Sequence, residues 1–198
     1  MQADFAVELG ADDETLEMPW AADGGGPRYY DVKRHPELLR NLVEAQSAPE
    51  MRQFLCAMNA PAGTLETAKC DFWSSTEINP EEEIFRATHK FGSYVDLLFS
   101  DTSSRFSFAE HEQLAKRLTE LLKQVPEIPA AAEFLIRRCY YLDEEGARDG
   151  FYITLYLFGY GDDEVQSRQH WAIGLTLLEN AIRSRFSPGM QRAAPGDL

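Results

Sequence analysis

Hydrophobic and polar positions alternate most clearly over Phe151 to Tyr160, FYITLYLFGY. With the period of two that a pleated strand imposes, Phe151, Ile153, Leu155 and Leu157 share one face. Tyr152, Thr154, Tyr156, Phe158 and Tyr160 share the other. The first face is aliphatic and suited to a core. The second is an aromatic stripe, so the sheet that contains this strand is expected to use both of its surfaces.

Elsewhere the period switches between helix and strand. Leu38, Leu39, Leu42 and Val43, then Met51, Phe54, Leu55 and Met58, recur at helical spacing. Ser47 and Glu50 have the spacing of a capping box for the second of these segments, with Pro49 tolerated in its first turn. Past the break at Pro61 to Gly63, the runs Thr67 to Trp73, Glu83 to Phe91 and Ser93 to Phe99 read as three strands, the last two joined around Gly92. Ser107 and Glu110 form a second capping box, and Ala115, Leu118, Leu122 and Val125 mark the buried stripe of the helix behind it. Glu133 to Leu142 and Phe151 to Tyr160 then make a hairpin around the polar turn Asp143 to Gly150. Asp163 and Gln166 open a final helix over 164–185, with Trp171, Leu175, Leu178 and Ile182 as its core stripe.

The element order is helix, three strands, helix, two strands, helix. An antiparallel sheet of about five strands with helices packed on one face would bury the apolar side of each element, which predicts an α+β domain. This domain is expected over 28–186, with a short first strand around Arg28 to Val32. Residues 1–27 read as an acidic N-terminal appendage with a short strand at Ala3 to Leu9, closed by the GGGP break at Gly24 to Pro27. Residues 187–198 read as a frayed tail.

Composition adds a constraint on partners. The 198 residues include 19 basic and 33 acidic ones, a formal net charge of -14. Neutralising phosphates takes clustered Lys and Arg, so nucleic acid and anionic membrane surfaces are disfavoured and basic protein partners are favoured. The segment before Arg28 lacks the charged and apolar regions of a secretory signal, and no apolar run spans a bilayer, so a cytoplasmic location is expected. Cys56, Cys70 and Cys139 are odd in number and lack CxxC spacing, which fits reduced thiols in apolar surroundings.

Candidate chemistry is sparse, and no cofactor is expected. The loop FGYGDDE, Phe158 to Glu164, joins a strand to a helix, but a dinucleotide fingerprint needs a third glycine where Glu164 stands, and Asp162 and Asp163 would repel a phosphate. Those carboxylates suit a helix start better than a cation site. His111 and Glu112 begin a zinc-helix pattern whose second histidine position holds Ala115, so His111 reads as a packed residue, stapled against Phe106. An enzyme would need a site assembled from separate elements, such as Cys70 with His89 or His111 with Asp101.

The aromatic stripe therefore carries the functional expectation, with Tyr152, Tyr156, Phe158 and Tyr160 as the binding residues. It has three readings: core covered by another layer such as the N-terminal appendage, a homodimer interface, or a base-stacking platform. The chain's acidity weighs against the third. The element order over 36–185 resembles the fold of type III secretion chaperones and their non-secretory relatives. That resemblance implies a small, acidic, cytoplasmic homodimer that holds an extended segment of a partner, and the function expected is a non-catalytic, homodimeric module that uses its aromatic sheet surface or an exposed edge to hold a protein or peptide.

Overall fold

A computed structural model describes residues 1–143 and 146–186; the expected tail at 187–198 lies outside the described residues. Three of the helical stripes read from the sequence bury, whereas of Leu38, Leu39, Leu42 and Val43 only Leu39 is buried and Val43 is exposed. In α2 (Pro49–Met58), Met51, Phe54, Leu55 and Met58 are buried. In α4 (Phe108–Lys123), Ala115, Leu118 and Leu122 are buried, and in α5 (Glu164–Phe186) so are Trp171, Leu175, Leu178 and Ile182. These three faces meet the aliphatic side of the sheet in one core, which includes Ile153, Leu155 and Leu157. Burying large aliphatic side chains contributes on the order of 2 kcal/mol each, so this layer is the main source of stability.

Two of the three expected caps form. Ser107 Oγ accepts from the Glu110 N–H at 3.3 Å. Asp163 Oδ1 accepts from the Gln166 N–H at 2.8 Å, while Gln166 Oε1 reaches one residue further back to the Asp162 N–H. The box at Ser47 and Glu50 does not form. Ser47 ends the short helix α1 (Val43–Ser47), and Ala48 is the cap residue of α2, with no side-chain bond. A residue before proline avoids the helical region, so Ala48 is held extended and the helix starts at Pro49. Glu50 instead bonds Arg168 of α5 at 2.9 Å. Leu38 and Leu39 fall in a 3-10 turn, Pro36–Asn41, that precedes α1.

The sheet has six strands: β1 (Gln2–Glu8), β2 (Thr15–Met18), β3 (Leu65–Ser75), β4 (His89–Phe99), β5 (Ala130–Asp143) and β6 (Gly146–Gly161). Their order is β1-β5-β6-β4-β3, with β2 also beside β5. The expectation of a purely antiparallel sheet is corrected here, because β1 and β2 run parallel to β5. The N-terminal residues are thus strands of the main sheet. Both pair with one long strand, β1 against Ala131–Arg137 and β2 against Arg138–Tyr141.

A second correction concerns the three-strand meander. Glu83 to Phe91 is not a strand, since Pro80–Phe85 is a 3-10 turn and β4 begins only at His89. Its start has a full capping box between Asn79 and Glu82, and Pro80 supplies a fixed φ at the first position. The strand expected near Arg28 is a single bridge between Ala21 and Arg28.

Candidate functional site

The second face of the sheet divides the aromatic stripe into covered and open parts. Tyr152 is fully buried in a separate cluster with Leu16, Met18, Leu98, Cys139 and Tyr141, against which Trp20, Tyr29 and Phe106 also pack, so the chain itself covers this end of the face. Tyr160 is buried at the opposite end. Phe85 stacks on its ring at 4.1 Å, and its hydroxyl donates to Glu82 at 2.8 Å. Glu82 also takes the Lys90 ammonium at 2.8 Å. Burial opposes its charge, but the bonds from Lys90, the Asn79 N–H and Tyr160 outweigh that and lower its pKa.

Between these two covers, Tyr156 and Phe158 remain half-buried. Pairing register adds two neighbours that the sequence reading missed. Trp73, Gly92, Phe158 and Ala131 stand in one row across β3, β4, β6 and β5. Asp71, Tyr94, Tyr156, Glu133 and Asp4 stand in the next, which continues into β1. Gly92 lets the Trp73 indole lie against the strand, since a Cβ there would sit 2.8 Å from the ring. Trp73 meets Phe158 edge-on at 6.1 Å, and Tyr94 meets Tyr156 at 6.1 Å. The result is a band of four half-buried aromatic rings crossing the strands, with carboxylates at both ends of the tyrosine row. At the β3 edge the band meets a cleft of about 610 Å³ lined by Trp20, Arg28, Tyr30, Glu44, Lys69 and Asp71 among others.

Beside the band, in the next row of the same face, lies a polar network. Asp96 is buried in β4, and Thr154 Oγ1 donates to its carboxyl at 2.8 Å. Desolvation pushes Asp96 up to about 7; the Thr154 bond opposes this, Glu14 adds to it, and Lys69 and Arg137 offset part of it. Arg137 reaches Thr154 Oγ1 at 3.3 Å and is clamped by Glu8 at 2.7 Å and Glu14 at 2.9 Å. This arginine therefore ties β1 and the loop before β2 to the sheet. A carboxyl so perturbed is a usual mark of a functional position. Asp96, however, is enclosed by its own chain, which suits a structural polar centre rather than a group that meets substrate.

The histidines and cysteines are spent elsewhere. Cys70 pairs with Val95, which lies six residues along β4 from His89, about 20 Å at strand spacing. Burial also drives the Cys70 thiol far up, away from thiolate chemistry. His111 bonds the Ser107 carbonyl through Nδ1 at 2.9 Å and packs on Phe99 and Phe151, not on Phe106. Asp101, the partner considered for it, caps α3 (Thr102–Arg105), where bonds from Ser104 and Ser103 hold it at about 2. No group of three or more His, Cys, Asp or Glu suited to a metal ion occurs among the described residues. No helix among them is long and apolar enough to cross a membrane.

The glycines of FGYGDDE have a packing explanation. A Cβ on Gly159 would collide with the Ser167 carbonyl and the Trp171 amide, and one on Gly161 would press on the Ser167 N–H. They let the first turns of α5 rest directly on β6, where His170 Nδ1 also bonds the Tyr160 carbonyl. With the geometry set out, comparison with known proteins adds no relative: no family model, curated protein or solved structure matches this chain.

Proposed function

We propose that this protein is a non-catalytic binding module that holds an extended polypeptide segment of a partner protein across the open band of its outer sheet face. The observation that carries this reading is the band itself. Trp73, Tyr94, Tyr156 and Phe158 stay half-buried between two stretches where the same face is covered by the chain's own residues, Trp20, Tyr29 and Phe106 at one end and the Pro80–Phe85 turn at the other. Rigid aromatic rings offer large contact area at low cost in rotamer entropy, which is why they concentrate binding energy at interfaces. Helices α2, α4 and α5 occupy the other face, so this band is where the sheet has area to offer. The task is the one that the secretion-chaperone resemblance implies.

A second copy of the chain is the competing occupant. Face-to-face pairing through this band would set Asp4, Asp71 and Glu133 of two copies close together, and like charges at an interface are costly. The enzyme alternative needs a histidine within reach of a carboxylate or thiol. Neither Cys70 with His89 nor His111 with Asp101 provides that.

Selection of a random-peptide display library on the full chain tests the proposal. Peptides should be enriched that lose binding to Tyr156→Ala and Phe158→Ala variants, provided both variants melt cooperatively. Failure to enrich any peptide, or binding that survives both substitutions, would overturn it.

A further inference from the structure

The charges around the aromatic band are unequal in what they have left to offer. The nearby cations already have partners: Lys90 with Glu82, Arg137 with Glu8 and Glu14, Lys69 over the Trp20 ring at 5.4 Å and Arg28 over the Tyr30 ring at 6.0 Å. The carboxylates are not. Glu133 is exposed, with no hydrogen bond or ion pair among the described residues. Partial burial, then Glu8 and Asp4 beside it, raises its pKa, and Arg137 offsets only part of this, so negative charge is crowded at this end of the band. At the other end Asp71 is exposed and, among the described residues, engages only the neighbouring Phe72 N–H, at 2.7 Å. Tyr156 and Tyr94 lie between the two in register.

Resting on the binding reading above, we infer that the segment held on this band is cationic: an extended stretch with two Arg or Lys residues four positions apart, one meeting Glu133 and the other Asp71. Spacing supports this. Glu133 and Asp71 stand on β5 and β3, three strand separations apart, which is about 14 Å at ~4.8 Å per strand. An extended chain advances ~3.3 Å per residue and returns a side chain to the same side every second residue, so positions i and i+4 lie about 13 Å apart on one side. The residue midway faces the two tyrosines, which favours an aromatic or aliphatic side chain there. Guanidinium or ammonium groups approaching the carboxylates also pass over the tyrosine rings, adding cation–π attraction. Phosphate-bearing ligands find the opposite of what they need, with carboxylates free and cations committed.

Titration calorimetry with a short capped peptide centred on Arg-Ser-Tyr-Ser-Arg tests the inference, alongside versions with Gln or Glu for both arginines and one with the second Arg moved two positions closer. The Arg peptide should bind at least about tenfold more tightly than the Gln peptide, and the Glu peptide should not bind; a tenfold change corresponds to about 1.4 kcal/mol. The moved-Arg version should bind more weakly. Affinity should fall as salt rises, and a variant carrying Glu133→Gln and Asp71→Asn should lose about tenfold for the Arg peptide and nothing for the Gln peptide. Equal binding of Arg and Gln peptides, an unaffected double variant, or no binding of the Arg peptide at millimolar concentration would each overturn the inference. Neutral peptides that bind and are lost on Tyr156→Ala would still leave the binding module standing. Sedimentation velocity supplies the last arm: a free dimer that dissociates on Phe158→Ala would place a second copy on the band and overturn the cationic segment.

Discussion

Replacing Asp96 by Asn removes a charge from the centre of the sheet while keeping an oxygen for the Thr154 hydroxyl, which donates to Asp96 at 2.8 Å. In the folded chain burial raises the carboxyl from 3.8 to about 7, whereas the unfolded chain leaves it near the ordinary value. The sign follows from proton binding. Between these two values the folded state holds a proton that the unfolded state has released, so the stability linked to Asp96 is fully present below 3.8 and is lost as pH rises through about 7. A gap of about three pKa units at ~1.4 kcal/mol each makes the whole loss about 4 kcal/mol, of which about 2.5 kcal/mol falls between about pH 5 and about pH 8. Urea unfolding of both proteins across that range reads it, because the other ionisable groups are common to the two chains. Asp96→Asn should gain about 2.5 kcal/mol over the parent from the acidic to the basic end. Curves that stay parallel within about 0.5 kcal/mol would refute a buried, proton-holding Asp96.

Three further outcomes follow from the packing. Gly159→Ala should destabilise by more than about 4 kcal/mol or abolish folding, seen in the thermal midpoint, because its Cβ has no space against Ser167 and Trp171. His111 is buried, and burial, outweighing its backbone bonds, lowers its pKa below the ordinary 6.5; stability present above that value should fall as pH drops below it. His111→Leu should flatten that acid limb of the urea midpoint. Arg86 closes the Pro80–Phe85 turn at φ 52°, so Arg86→Gly should raise stability by about 0.5–1 kcal/mol in the same assay.

Local pattern made the inner layer legible. The stripes of α2, α4 and α5 and the two faces of Phe151 to Tyr160 follow directly from periodicity, because each needs only its own segment to declare which side is apolar. Partner choice between strands is non-local, and the pattern says nothing of it. Nothing in Ala3 to Leu9 reveals a parallel neighbour at β5, and nothing in Phe151 to Tyr160 reveals that Tyr94 and Trp73 would stand beside Tyr156 and Phe158. Two signals were present and outweighed. Asn79, Pro80 and Glu82 carry a helix-start signature that argues against a strand over Glu83 to Phe91. Asp96, alone among Val95, Leu97 and Leu98, is the kind of polar residue in an apolar run that marks a buried network. Its partners Thr154 and Arg137 come from other strands, so only the assembled sheet identifies them.

The three tryptophans report on three different places, which makes fluorine NMR of the 5-fluorotryptophan-labelled chain the most direct test of the central claim. Trp73 lies in the open band, Trp20 lines the cleft at the β3 edge, and Trp171 is buried in the helix-side core, its indole N–H bonded to Ser93. Titration with a display-selected peptide should shift the Trp73 resonance in step with occupancy while Trp171 stays fixed. Saturation that leaves Trp73 unmoved, with the shift at Trp171 or Trp20 alone, would contradict binding on the aromatic band.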